Sequence, residues 1–151
     1  SMVMVGGILL VLGVALAFAN FLVDVEIPQK LFAFAQEHIE SKLEFLLLLN
    51  LTLLFLGAFL DIFSALAVVV PLILPVAVGY GVHPVHLGII FLANMQIGYF
   101  TPPVGMNLFV ASYRFKKPIQ DLYLASWPFM AVLLIALILI TYVPWISLAF
   151  I

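Results

Sequence analysis

Seven consecutive residues, Thr101-Pro-Pro-Val-Gly-Met-Asn107, interrupt an apolar run that extends from Leu87 to Tyr113. They are the part of this sequence best suited to chemistry. Two consecutive prolines remove two backbone donors, and each disfavours helix at the residue before it. Gly98 and Gly105 flank the interruption. A helix broken here frees carbonyls at one half-helix end and amide N–H groups at the other. The carbonyl end suits a cation such as Na⁺, and the amide end suits an anionic group. The Thr101 hydroxyl and the Asn107 amide stand beside those groups. The plainer alternative is a proline kink repaired by neighbouring helices. A single proline would fit that alternative, whereas Pro-Pro between glycines, with Thr and Asn at the edges, favours a site.

Asp61 is the acidic residue inside a second long apolar stretch, and Ser64 follows one helical turn later. An intramembrane carboxylate is costly and marks an ion or proton pathway, or a structural pair. It also serves as a helix cap by accepting from backbone amides. Cap and ion site are equally good readings, and one residue can be both. Asn94 and Gln96 precede the interruption at 101–107, and Asn20 and Asn50 lie in other apolar runs. Side-chain amides between membrane helices usually bond across helices. That reading is preferred for Asn20 and Asn50, while Asn94 is a candidate site residue through its nearness to the break. His83 and His86 are too few ligands for a metal, and Pro84 between them favours a turn. No nucleophile–base pair, phosphate loop or transition-metal cluster is present, so the chain is not expected to be an enzyme.

These candidates need a membrane to make sense. Of 151 residues, 67% are hydrophobic and 8% are charged, against about 45–50% and about 25% in soluble domains. The mean hydropathy is +1.36 and the net charge −2. This excludes a soluble enzyme, a disordered chain and a nucleic-acid binder, which needs a basic face. With no cysteine there is no disulfide framework and no thiolate site.

The elements follow from hydropathy. Residues 3–22 are long enough for a membrane helix. Residues 24–42 carry Asp24, Glu26, Glu37 and Glu40 between apolar positions at helical spacing, and read as an amphipathic interfacial helix opened near Pro28. Residues 43–79 form two short arms joined at Gly57–Asp61, which fit a re-entrant hairpin or two thin spanning helices. Residues 80–86 read as a loop, 87–113 as a discontinuous helix broken at 101–107, and 122–150 as the last membrane helix, framed by Trp127 and Trp145. Arg114, Lys116 and Lys117 place their loop in the cytoplasm by the positive-inside rule, with the C-terminus on the other side. The expected class is an all-α integral membrane protein.

Gly57-Ala-Phe-Leu-Asp61, Pro71-Leu-Ile-Leu-Pro75, Gly81-Val-His-Pro-Val-His-Leu-Gly88 and Asn94-Met-Gln-Ile-Gly98-Tyr-Phe-Thr101-Pro-Pro-Val-Gly105-Met-Asn107 resemble the C-terminal part of the large membrane subunit of TRAP transporters, the tripartite ATP-independent periplasmic transporters. The resemblance covers essentially the whole chain, and Gly-x-x-Thr-Pro-Pro-x-Gly is its most specific block. Ala58 departs from the larger residue the family often has there.

The resemblance implies an elevator-type transporter of two inverted repeats, each a re-entrant hairpin followed by a discontinuous helix. Residues 43–79 and 87–113 would be the second such pair. It implies Na⁺ as the coupling ion, no other cofactor, and uptake of an organic acid of dicarboxylate or sialic-acid type. A periplasmic binding protein delivers that acid, and a small membrane subunit completes the complex. Carried onto this sequence, the implied Na⁺ ligands are Gly57, Asp61 and Ser64 at the hairpin tip and Gly98, Thr101, Pro102 and Gly105 at the break, with Asn94 and Asn107 toward substrate. The family's large subunit is much longer, and its N-terminal repeat is not in this sequence. The expectation is a fragment or split gene product that does not transport alone. Half of another elevator transporter or channel, and a structural membrane subunit, are the alternatives.

Overall fold

A computed structural model of the chain describes residues 24–39, 41–60, 62–101 and 106–149, together with 6, 9, 13, 14, 17, 18 and 20–22. The described residues are helical or in short turns, with no strand among them. The helices are α1 (Ile27–His38), α2 (Lys42–Phe59), α3 (Ile62–Gly79), α4 (Pro84–Gly98), α5 (Met106–Phe115), α6 (Ile119–Tyr142) and α7 (Pro144–Leu148). Most of the segment 3–22 lies outside the described residues, and those described within it have helical backbone. α2, α3 and α6 are long and apolar enough to cross a membrane. At 18 residues, α2 and α3 are each about 27 Å long, close to the thickness of a bilayer's hydrocarbon. The 15-residue α4, at about 22 Å, is too short to cross by itself.

The chain divides into two compact units, Ser1–Phe45 with Asp61–Pro84, and Leu46–Leu60 with Val85–Ile151. In the first, α1 packs against α3. The face of α3 that is buried is made of small and β-branched residues, Ala65, Ala67, Val69, Val76 and Ala77, which permit close approach. Pro71 and Pro75 lie within α3, where each withholds one backbone donor.

α2 opens with a capping box. The Ser41 Oγ accepts from the Glu44 N–H, and the Glu44 Oε2 accepts from the Ser41 N–H, each at 3.2 Å. Beside it, the Lys42 Nζ donates to the Gly81 carbonyl at 2.8 Å, the Tyr80 hydroxyl donates to the Ile39 carbonyl at 3.1 Å, and the Phe45 and Tyr80 rings stack at 4.6 Å. The residues that open α2 therefore lie against those that follow α3. Gly81 turns the chain there with φ +72°, a left-handed conformation that favours glycine.

In the second unit α4 is the buried element. His86, Leu87, Ile90, Phe91, Asn94, Met95, Ile97 and Gly98 are all buried, a spacing of three and four that gives one continuous helical seam. Pro84 stands at the first position of this helix, where a missing N–H costs nothing. The loop expected over 80–86 therefore ends earlier, and His86 lies in the first turns of α4, fully buried. α5 ends in a left-handed residue, Lys116 at φ 52°, with the Lys117 N–H bonded back to the Ser112 carbonyl at 3.3 Å, the pattern of a Schellman closure. Pro118 then starts α6. The last helix is shorter than expected over 122–150. α6 stops at Tyr142, and Pro144 opens the separate short α7, because proline disfavours helix at the preceding Val143.

Candidate functional site

The second unit brings the end of α2 to the end of α4. A Cβ built on Gly98 would lie 2.5, 2.7 and 2.8 Å from the carbonyl carbon, Cα and carbonyl oxygen of Gly57. Only glycine fits at position 98. A Cβ on Gly57 would meet the Gly98 and Met95 Cα atoms at 3.4 Å, which is ordinary contact. Two turns before Gly57 on α2, Asn50 meets Asn94, which lies one turn before Gly98 on α4. The Asn94 Nδ2 donates to the Asn50 Oδ1 at 2.7 Å. The two contacts advance in the same direction along both helices, so α2 and α4 run parallel along one seam.

α6 runs antiparallel to α4. The His86 Nε2 is 3.2 Å from the Thr141 carbonyl at one end, and the Thr101 hydroxyl is 3.8 Å from the Met130 sulfur at the other. Met130 is at the midpoint of the 24-residue α6. α6 is long and apolar enough to cross a bilayer, and Thr101 is level with its midpoint.

At that level the backbone leaves helical geometry. The Phe100 and Thr101 N–H groups bond to the Ile97 and Gly98 carbonyls, each at 2.9 Å, in tightened turns. The Asn107 N–H reaches back to the Tyr99 carbonyl at 3.3 Å, bridging the gap between α4 and α5. The Thr101 hydroxyl donates to the Ile97 carbonyl at 3.0 Å. Having given its proton, the oxygen keeps its lone pairs for a cation. The Gly98 and Tyr99 carbonyls, which accept from the Thr101 and Asn107 N–H groups, each have a second lone pair as well. A cleft of about 230 Å³ adjoins this point, lined by Phe100, Ser126, Phe129, Met130 and Leu133.

The residues singled out in the sequence are thus placed as follows. Gly57, Gly98 and Thr101 come together, with the half-buried Asn107 across the break. Ser64 is half-buried in the first turn of α3, in the other unit. Asp61, Pro102 and Gly105 lie outside the described residues. Asn94 lies on α4, one turn before Gly98. It is fully buried, with its Nδ2 shared between the Asn50 Oδ1 and the Ile90 carbonyl at 2.8 Å.

Asn50 bonds across helices, as its place in an apolar run predicts, and its partners are what the sequence does not show. The Asn50 Nδ2 donates to the Leu46 carbonyl at 2.8 Å and to the Thr141 Oγ1 at 3.1 Å, so α2, α4 and α6 meet in one buried polar group. Thr141 carries no signal of its own in the sequence. It is a polar residue at the end of an apolar helix. The Asn94 Oδ1 is buried with no partner among the described residues, at a cost of about 1–3 kcal/mol. Its amide is kept for what the nitrogen donates.

Comparison with known proteins decides what this arrangement belongs to. Residues 1–146 match the family described as tripartite ATP-independent periplasmic transporter, DctM component. The chain belongs to the DctM family. It is 40% identical over 135 residues to the C4-dicarboxylate TRAP transporter large permease protein DctM of Pseudomonas aeruginosa, covering 89% of this chain and 32% of that protein. It is 37% identical over 136 residues to the sialic acid TRAP transporter large permease protein SiaM of Vibrio cholerae, covering 90% and 32%. Against the isethionate TRAP transporter permease protein DctMQ of Oleidesulfovibrio alaskensis it is 36% identical over 143 residues, covering 95% and 22%. The chain thus spans about a third or less of the length of these relatives. They are named as transporter permeases, and the family is one of membrane transporters and not of enzymes.

Proposed function

We propose that this chain is the C-terminal repeat of a Na⁺-coupled secondary transporter that takes up an organic acid across the bacterial inner membrane. In this reading α2 and α3 form a re-entrant hairpin, α4 and α5 form a discontinuous helix, and the pair is one of two inverted repeats of an elevator. The N-terminal repeat, a small membrane subunit and a periplasmic binding protein complete the transporter. Na⁺ is held at the helix break by backbone carbonyls and the Thr101 hydroxyl, beside the contact of Gly57 with Gly98. Asn107, at the start of α5, faces the substrate end. The basic loop at 114–117 is cytoplasmic and the C-terminus periplasmic.

The observation that carries this reading is the meeting of Gly57 with Gly98 beside Thr101, level with the midpoint of α6. Broken helices near the bilayer midplane are where secondary transporters gather coupling ions, and irregular backbone at that depth lines a cavity or is buried in protein. The opening of α2 beside the residues that follow α3 suits a hairpin that leaves and returns on one side. The relatives' names span a dicarboxylate, a sulfonate and a sialic acid, all organic anions.

The test is reconstitution of the full-length protein with its small subunit and binding protein in liposomes. An inward Na⁺ gradient is expected to drive uptake of an organic acid presented by the binding protein. Uptake that is equally fast with Na⁺ replaced by K⁺ on both sides would sink the reading.

A further inference from the structure

We infer that Asn50, Asn94 and Thr141 form an intramembrane polar lock that sets the register of α2 on α4 and α6, and so holds the hairpin tip and Thr101 in place for the ion. This rests on the function proposed above and adds to it three residues that touch neither ion nor substrate. Asn50 and Gly57 are seven residues apart, and Asn94 and Gly98 four apart, so each pair lies on one helix face. The amide contact at 2.7 Å and the glycine contact are therefore two points on one seam. Two points fix both the sliding and the rotation of α2 against α4, where the glycine contact alone would leave a smooth, apolar pivot.

Thr141 adds the third helix. Its hydroxyl lies 3.1 Å from the Asn50 Nδ2 and 3.4 Å from the Asn50 Oδ1, and its own carbonyl receives the buried His86 ring at 3.2 Å. All four side chains lie within one unit of the fold. Around them the seam is apolar, with Leu46, Leu49, Leu53, Leu87, Ile90, Phe91 and Met95 buried. In hydrocarbon, apolar side chains slide past one another at little cost, because lipid tails are as good a neighbour as leucine. A directional amide pair resists a slip that would leave its donors unsatisfied. The price is visible in the Asn94 Oδ1, which is buried without a partner among the described residues. These are positioning residues. They act on the ion through the backbone of Gly57, Gly98 and Thr101.

The experiment is a double-mutant cycle in the full-length transporter, assembled with its partners. Asn50→Ala and Asn94→Ala are each expected to raise the Na⁺ concentration for half-maximal uptake by roughly three- to tenfold. The double variant is expected to match the worse single variant, because both break one contact. Thr141→Val, which keeps the shape and loses the hydroxyl, is expected to act in the same direction, and Thr141→Ser to restore wild-type behaviour. Variants that lose thermal stability at unchanged Na⁺ dependence would overturn the positioning role, as would effects that simply add. If wild-type uptake proves indifferent to Na⁺, the proposed function fails. The lock is then read from unfolding midpoints of the purified full-length variants, where non-additivity upholds it and additivity overturns it.

Discussion

Gly57 and Gly98 touch each other and yet are not equivalent. The space beside Gly57 accepts a Cβ at 3.4 Å, and the space beside Gly98 does not, at 2.5 Å from backbone. Backbone cannot rotate away as a flexible side chain can. Gly98→Ala is expected to push α2 from α4 and to destabilise the full-length protein by about 1–3 kcal/mol, the usual cost of overpacking. Gly57→Ala is expected to be near neutral, since the gain in helix propensity, up to about 1 kcal/mol, offsets a snug contact. Thermal unfolding of both variants in detergent checks the asymmetry, and equal midpoints would show that the crossing is looser than drawn. None of this is legible at either position in the sequence. Gly57 and Gly98 read there as a hairpin tip and the flank of a break, and only the approach of two helices 41 residues apart shows which one is indispensable. Asn94 is similar. Its sequence neighbours tie it to the break, and its partner Asn50, 44 residues earlier, ties it to α2.

Helices are more readable than contacts, because their signals are local. The apolar runs give an all-helical membrane chain, and Pro102-Pro103 fall in the stretch between α4 and α5. Misreadings arise where one residue type carries two messages. Pro84 signals a turn in a loop and also the first residue of a helix, and the second applies, which draws His86 into the buried seam. Ser41-x-x-Glu44 is a legible capping box, masked by reading residues 24–42 as one amphipathic helix. α6 carries an element-scale prediction. It leaves Arg114, Lys116 and Lys117 at one end and meets Trp145 just past the other, so it should run from cytoplasm to periplasm. This chain has no cysteine, so Lys117→Cys and Ala149→Cys are clean reporters once any cysteines in the rest of the protein are replaced. In intact cells an impermeant thiol reagent should label position 149 and spare 117. The opposite pattern would invert the topology.

At the scale of the whole molecule, α2, α4 and α6 converge twice, once at the buried amides and once at the break. α3 and α1 form a separate unit that shares with α2 only its opening turn. The class and the family can be reached from the sequence because they rest on composition and on short motifs. The convergence cannot, because it depends on pairings far apart in the chain. Ion coupling, as proposed, depends on the second meeting point and on Thr101 there. Its hydroxyl donates to the Ile97 carbonyl at 3.0 Å and presents its lone pairs to a hard cation, for which oxygen ligands are suited. Thr101→Val keeps the shape and removes the oxygen. Losing one such ligand is worth about 1–3 kcal/mol, and about 1.4 kcal/mol is tenfold in affinity. The decisive measurement is the Na⁺ titration of uptake by the complete transporter carrying Thr101→Val. The half-saturating Na⁺ concentration should rise about tenfold or more, while the binding protein's affinity for substrate is unchanged, that site being on another chain. An unaltered Na⁺ titration in a folded, active Thr101→Val transporter would contradict the assignment of the ion to this break.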